Sequence, residues 1–370
     1  MEHPTAGPTT ENAELGQGVA SAMQVRLDQF EATAGAYGEA ASVLASRIGV
    51  LARGGKRLRA ALAYWAFRAY GGAAGAAEAY ELGAAVELFQ ASALLHDDLI
   101  DESVTRRGEP TANQFLLLQH QRAGWRGDPA KYGFAGALLL GDIALSLAYD
   151  AANDAARLAV GRGSLDDDGA ETFRKTLSQM CQTVFLGQYL DILAENDTSV
   201  SAEAAIDRAL LIAHAKSASY SAEFPLRLGA ILAGASAAQA EELAKLGIPL
   251  GIAFQLRDDL LGVFGDSGVT GKPAGDDIRQ GKRTLLIEKA LGRGSAYDRE
   301  ILLGYLGKPD LTPTELEQAR AIIQPAVAEI EGVIASNTEA VLSGLTALDI
   351  ADAPRSELVQ LADRMVNREF

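Results

Sequence analysis

Apolar residues recur at three- and four-residue spacing along residues 41–52, 59–70, 77–101, 134–158, 173–194, 202–233, 237–265, 285–291 and 314–346, segments dominated by Ala, Leu, Glu, Gln and Arg. These are strong helix formers, and that spacing gathers the apolar side chains on one helix face. No run of alternating β-branched and polar residues competes with them, so a sheet of any size is excluded and the expected fold class is all-α. Gly, Pro and Asp break the pattern at 71–72, 107–110, 124–129, 161–169, 267–281 and 308–313. The longest of these, 267–281, has a length that inside compact domains usually marks a functional loop. No fixed-period repeat, dinucleotide fingerprint or phosphate loop is present. Residues 1–18, rich in Pro, Thr, Gly and Glu, are expected to form a flexible tail, and 19–370 a single all-α domain.

The chain has 33 basic and 49 acidic residues, a net charge of -16, which disfavours general attraction to nucleic acid or anionic lipid. Any bound anion must therefore be captured by a local cluster. The one cysteine, Cys181, forbids an internal disulfide or a cysteine-built zinc site, and His3, His96, His120 and His214 are scattered. The N-terminus lacks a basic start followed by an apolar stretch, so a cytoplasmic location is expected. The apolar window 82–100 is interrupted by Glu87, Gln90, His96, Asp97 and Asp98 and reads as a buried helix, with no stable membrane insertion.

The informative chemistry starts at Leu94-Leu95-His96-Asp97-Asp98-Leu99-Ile100-Asp101. On a helix Asp97 and Asp101 lie one turn apart on one face, with Asp98 on the flank. A lone acidic triplet of this kind is ordinary as a solvated helix end. A second one is harder to dismiss: Phe254-Gln255-Leu256-Arg257-Asp258-Asp259 again ends an apolar helix with paired carboxylates. Carboxylates held so close repel unless a cation sits among them, and hard oxygen ligands suit Mg²⁺, which completes its shell with water and phosphate.

Short basic bursts stand near these clusters. They are Arg53-Gly54-Gly55-Lys56-Arg57-Leu58-Arg59 at a helix start, the pair Arg106-Arg107 just after the first cluster, Lys216 in mid-helix, and a loop carrying Lys272 and Lys282. Basic side chains at a helix N-terminus make an anion cradle. A diphosphate neutralised by metal, Lys and Arg is a good leaving group, and the surrounding Leu, Ala, Phe and Ile point to an apolar remainder. That combination describes an allylic diphosphate ionising to a carbocation.

With these motifs in this order, from about Gly54 to Thr284, the chain resembles the trans-isoprenyl diphosphate synthases, the polyprenyl synthetase family. The resemblance implies a single large helical bundle around a central active-site cavity, three Mg²⁺ ions held by Asp97, Asp101 and Asp258, and support from Asp98 and Asp259. It assigns the allylic diphosphate to Arg106, Lys216 and Lys272, and isopentenyl diphosphate to Lys56, Arg59, Arg107 and Gln90. Lys282 corresponds to a lysine that closes over the site. Gln188 and Asp191 match a motif near the reacting carbons and metals, Ser217 stands where Thr is usual, and Gln255 leads into the second acidic motif. One departure is sharp: that motif usually ends in a third Asp, and here the place is Gly262, with Asp266 too far along the helix to substitute.

The implied reaction joins isopentenyl diphosphate head-to-tail to dimethylallyl, geranyl or farnesyl diphosphate in a homodimeric enzyme. Within that family, an aromatic residue about one turn before the first Asp stops the chain early. Here Ser92 and Ala93 are small and Phe89, two turns before, is bulky, so Phe89 is the expected floor and geranylgeranyl diphosphate the expected main product. A longer polyprenyl product is the alternative. A class I terpene cyclase would not need the cradle of Lys56, Arg59 and Arg107, and a non-catalytic partner subunit would be expected to lose part of the machinery.

Overall fold

The computed structural model describes residues 10–53, 55–197, 199–265 and 275–367. Its chain divides into two compact units, Met1–Leu177 with Pro225–Glu241 and Ile350–Pro354, and Ser178–Phe224 with Glu242–Asp349 and Arg355–Phe370. Both are helical. Among the described residues the only strands are β1 (Thr105–Arg106) and β2 (Glu109–Pro110), paired antiparallel, so the all-α expectation is met.

The first unit is built on α1 (Thr10–Ala36), α2 (Glu39–Arg53), α3 (Leu58–Ala69), α4 (Ala77–Ile100), α5 (Ala112–Ala123), α6 (Pro129–Arg162) and the opening turns of α7 (Asp167–Asn196). Its centre is α4, buried along most of its length and packed chiefly on α6, with α3 and α1 also against it. Close approach follows from composition: α6 presents buried Ala144, Ala148, Ala151, Ala155 and Ala159. It starts where the sequence breaks, with Asp128 capping the amide of Ala130 and Pro129 in the first turn. Among the described residues α6, rather than 82–100, is the helix long and apolar enough to cross a membrane by length and composition, and less than half of its most apolar window, 39%, is buried.

The expected tail is corrected at its inner end. From Thr10 the chain is helical, Leu15 and Val19 are buried, and Glu11 accepts hydrogen bonds from Tyr64 Oη and Arg68 Nε at 2.7 Å each. Asn12 accepts from Trp65 Nε1 at 2.9 Å. The polar residues that suggested a tail are therefore the acceptors for α3. Farther along α1, buried Arg26 donates to Glu81 on α4 and Asp154 on α6, tying three helices through one guanidinium.

The second unit holds the rest of α7, α8 (Ala202–Ile212), a π-helix (Ala213–Glu223), most of α10 (Ala237–Phe264), α11 (Asp276–Gln280), α12 (Leu285–Arg293), α13 (Ala296–Tyr305), α14 (Pro313–Ala347) and most of α15 (Asp352–Val366). Ser295 and Thr312 open α13 and α14 with reciprocal capping boxes to Asp298 and Glu315. Arg257 clamps α10 onto α14 by two bonds to Glu331, at 2.6 and 2.9 Å. The helix expected over 202–233 is continuous to Leu232, where α9 (Phe224–Leu232) ends, but its middle is wound as π. Eleven π residues are unusual, and π turns favour functional segments.

The π-helix is packed so tightly that a Cβ on Gly251 of α10 would overlap the backbone of Ala218. Gly251→Val therefore forces the two helices apart and should destabilise the protein by about 2–3 kcal/mol, read as a lowered urea midpoint. An unchanged midpoint would refute this close approach.

Candidate active site

The last turn of α4 carries Asp97 and Asp98, with Asp101 as its C-terminal cap. Arg106 is aimed back at them from β1. Its Nε donates to Asp98 Oδ1 at 2.8 Å and its Nη2 to Asp97 Oδ2 at 3.2 Å, with Asp98 buried. The register Thr105↔Pro110 and Arg106↔Glu109 leaves Arg107 and Gly108 as a two-residue turn, at φ 54° and 78°. That is the hairpin geometry in which both central residues adopt positive φ. The arginine pair expected on a loop is thus held by a hairpin, with Arg106 turned to the acids and Arg107 at the tip. His96 points elsewhere: its Nε2 lies 3.3 Å from the carbonyl of Leu138 on α6 and 3.5 Å from Asp142.

Among the described residues, the non-glycine positions with positive φ are Arg57, Glu102 and Arg107, all beside these motifs. Strained backbone of this kind persists where surrounding structure over-determines it. At Arg57, the N-cap of α3, no side chain caps the helix; instead buried Glu87, reaching across from α4, accepts from the amide of Ala60 at 3.3 Å. Burial pushes the Glu87 carboxyl up, while Arg59, the Ala60 amide, Arg57 and Arg107 pull it down. Burial and neighbouring Arg106 hold the pKa of Arg107 down, opposed by Glu87. A Cβ on Gly55 would lie 3.5 Å from Arg107 Nη2, so the glycine turn and the hairpin tip are neighbours. Arg59 and Arg107 therefore converge on Glu87, a residue sequence reasoning read only as an interruption of an apolar window. Lys56 remains exposed, and Gln90 lies half-buried one turn after Glu87.

In the second unit, Lys216 on the π-helix donates to Asp191 Oδ2 at 2.6 Å, and buried Lys282 donates to the same oxygen at 3.5 Å. Lys282 also pairs with Glu195 Oε1 at 3.1 Å, a partner no motif indicated. Gly187 permits the first of these pairs, because any side chain there would strike the backbone of Ala215 and Lys216. On α10 Gln255 Nε2 donates to Asp259 Oδ1 at 2.7 Å, with Asp258 beside it. The Nε2 of Gln188 is buried with no hydrogen-bond partner, and Ser217 is half-buried on the π-helix. Lys272 and Asp266 lie outside the described residues.

The donor set fits a hard cation. Burial, then Asp277, Asp258 and Asp191, push the Asp259 carboxyl well above the usual carboxylate range, with only Gln255 opposing, so negative charge is crowded here. Among the described residues no three His, Cys, Asp or Glu side chains are grouped to hold a metal unaided. Mg²⁺ takes one or two carboxylates and leaves the rest of its shell to water and phosphate.

Phe89, Ala93 and Asp97 follow one another at four-residue steps on α4 and share a face. Phe89 and Ser92 are fully buried, and the Ser92 hydroxyl has no hydrogen-bond partner. Small residues and an aromatic thus lie in order beneath the acidic end of α4.

Asp259 gives a signed pH dependence in the metal-free protein. A carboxyl whose folded pKa is raised loses stability as pH climbs from its unfolded value, near 3.9, through the folded value. Asp259→Asn should therefore raise the urea midpoint at neutral pH, and the gain should shrink towards pH 4. A gain independent of pH would contradict a carboxyl pushed up by burial and its acidic neighbours.

The chain matches the polyprenyl synthetase family model over residues 42–323. It is 34% identical over 318 residues to the geranylgeranyl diphosphate synthase of Mycobacterium tuberculosis, covering 85% of this chain and 80% of that protein. It is 32% identical to the geranylfarnesyl diphosphate synthase of Aeropyrum pernix, over 73% of this chain and 76% of that one. The crystal structure of geranylgeranyl pyrophosphate synthase from Corynebacterium glutamicum, complexed with isoprenyl diphosphate and magnesium, superposes with a TM-score of 0.87 at 35% identity, covering 96% of this chain and 99% of that one. Matched by the family model over most of its length and sharing about a third of its residues with these synthases, the chain belongs to the polyprenyl synthetase family of trans-isoprenyl diphosphate synthases.

Proposed function

We propose that the protein condenses isopentenyl diphosphate head-to-tail with dimethylallyl, geranyl and farnesyl diphosphates and releases geranylgeranyl diphosphate as its main product. The observation that carries this reading is the pairing of each acidic motif's unit with its own cations: Arg106 across Asp97 and Asp98, Lys216 and Lys282 on Asp191. Asp97, Asp101 and Asp258 are the ligands for three Mg²⁺ ions, with Asp98 and Asp259 behind them, and the described chain serves as one catalytic domain. Mg²⁺ bound there supplies positive charge against the departing diphosphate.

The protein's own part is positioning and electrostatics. Arg106, Lys216 and Lys272 hold the allylic diphosphate, the two described members exchanging some of their present carboxylate contact for phosphate oxygen. Arg59 and Arg107, kept in place by Glu87, hold isopentenyl diphosphate with Lys56 and Gln90. Lys282 stays near the site as an added cation, and the Gln188 amide and the Ser217 hydroxyl orient the allylic substrate. The allylic C–O bond breaks, the isopentenyl double bond forms the new C–C bond, and the proton lost passes to the released pyrophosphate. No protein nucleophile takes part. The growing chain runs along the Asp97, Ala93 and Ser92 side of α4 until it meets Phe89.

The activity test incubates purified protein with Mg²⁺, isopentenyl diphosphate and each allylic primer in turn, and sizes the products after phosphate removal. A twenty-carbon alcohol from all three is expected, with longer products from Phe89→Ala. Longer products from the wild type would reject the floor, and hydrocarbon release without elongation would reject the synthase.

Family membership and the surface of α6 also support a homodimer in the cytoplasm, without membrane insertion. Tyr132, Phe134, Leu138 and Leu139 are 38%, 53%, 41% and 55% exposed on that helix, an apolar face that a second copy would cover. Sedimentation should give a dimer for the wild type and a monomer for Leu139→Arg; a monomeric wild type would refute the assignment.

A further inference from the structure

The residue just before the first aspartate turns away from the acids, yet it holds the helix that carries them. His96 stands in the last turn of α4 and directs its ring at α6. Its Nε2 lies 3.3 Å from the carbonyl oxygen of Leu138 and 3.5 Å from Asp142 Oδ1. Both neighbours are acceptors, so Nε2 carries the proton and donates. A helix carbonyl has two lone pairs, and the one left over from its backbone bond can take such a donor. Gly141, buried on the same helix, completes the seat: a Cβ built there would overlap the imidazole at Nε2 and Cδ2. Glycine inside a helix is destabilising relative to alanine, so this position bears a cost that the docked ring explains.

We propose that His96, seated over Gly141, is a positioning residue that sets the rotation of the last turn of α4 and so presents Asp97 and Asp101 to the cation. The proposal rests on the reading of Asp97 and Asp101 as Mg²⁺ ligands. Successive helix positions are about 100° apart, so fixing His96 towards α6 fixes the directions of Asp97 and Asp98 and, one turn on, of Asp101. Arg106 holds the same turn from the hairpin, through Asp98 and Asp97. In the proposed reaction Arg106 gives up part of that contact to phosphate oxygen. His96 is bonded to α6 rather than to the acids, so its hold persists when the diphosphate arrives.

The test titrates Mg²⁺ calorimetrically in the presence of inorganic pyrophosphate. His96→Ala should weaken binding about tenfold, the scale of loss when a group that orients metal ligands is removed. Gly141→Ala should act alike from the other side, although alanine is the better helix former, because its methyl displaces the ring. In the double variant the ring is gone and the methyl enters the vacated space, so binding should be no weaker than in His96→Ala alone. His96→Gln should hold binding within about threefold of wild type, since its amide can donate to the Leu138 carbonyl. His96→Met, of similar length but without a donor, should be as weak as His96→Ala. Unchanged binding in His96→Ala while Asp97→Asn weakens it would overturn the role of His96 and leave the Mg²⁺ site standing. Unchanged binding in both would overturn the two together. Additive losses in the double variant, in protein that unfolds cooperatively, would overturn the seat at Gly141, and equal binding by the Gln and Met variants would overturn the hydrogen bond as the means.

Discussion

Carboxylates brought together inside a protein must be answered by positive charge, and this constraint orders the functional half of the chain. Arg106 spans Asp97 and Asp98 in the first unit. In the second, Asp191 takes up Lys216 and Lys282, while Asp259 has an amide for a partner and other acids for neighbours. The arrangement is therefore unequal: some acids are already neutralised by side chains, and Asp259 is not.

The backbone serves the same end at a local cost. Arg57, Glu102 and Arg107 all sit at positive φ, a conformation unfavourable for side chains of this kind. Each lies beside a charged motif, so local strain is retained where it aims a charge. Glu87 shows how tertiary contact sustains it: α3 has no capping side chain of its own, and an acid from α4 reaches the Ala60 amide while gathering Arg59 and Arg107. The π winding of 213–223 belongs with these features, since it carries Lys216 on a segment approached closely by α7 at Gly187 and by α10 at Gly251.

Periodicity alone located α4, α6, α7, α10 and α14, because burial of one face writes itself into residue spacing. It missed α1, α5, α13 and α15, whose polar positions outweigh or interrupt the apolar stripe, read α11 as part of the loop 267–281, and read the start of α1 as tail although Glu11 and Asn12 are bonded to α3. The acidic clusters and basic bursts were legible as chemistry because like charges at short sequence spacing are costly without a partner. Glu87, Glu195 and Asp277 were not singled out: each meets its charged neighbours only through contacts between separate elements, and no spacing rule encodes those.

By itself, then, the sequence determined the helical class, the order of the acidic and basic motifs and the family they belong to, since each depends on residue type and near-neighbour spacing. It also exposed Gly262 as a gap. Only the tertiary structure decided that Arg106 and Arg107 ride on a hairpin, that the lysines rest on Asp191, and that the space at Gly262 holds the carboxylate of Asp277. These depend on the distance between side chains fifteen or more residues apart, or on a turn whose strain the rest of the fold must hold, and neither quantity is written in local spacing.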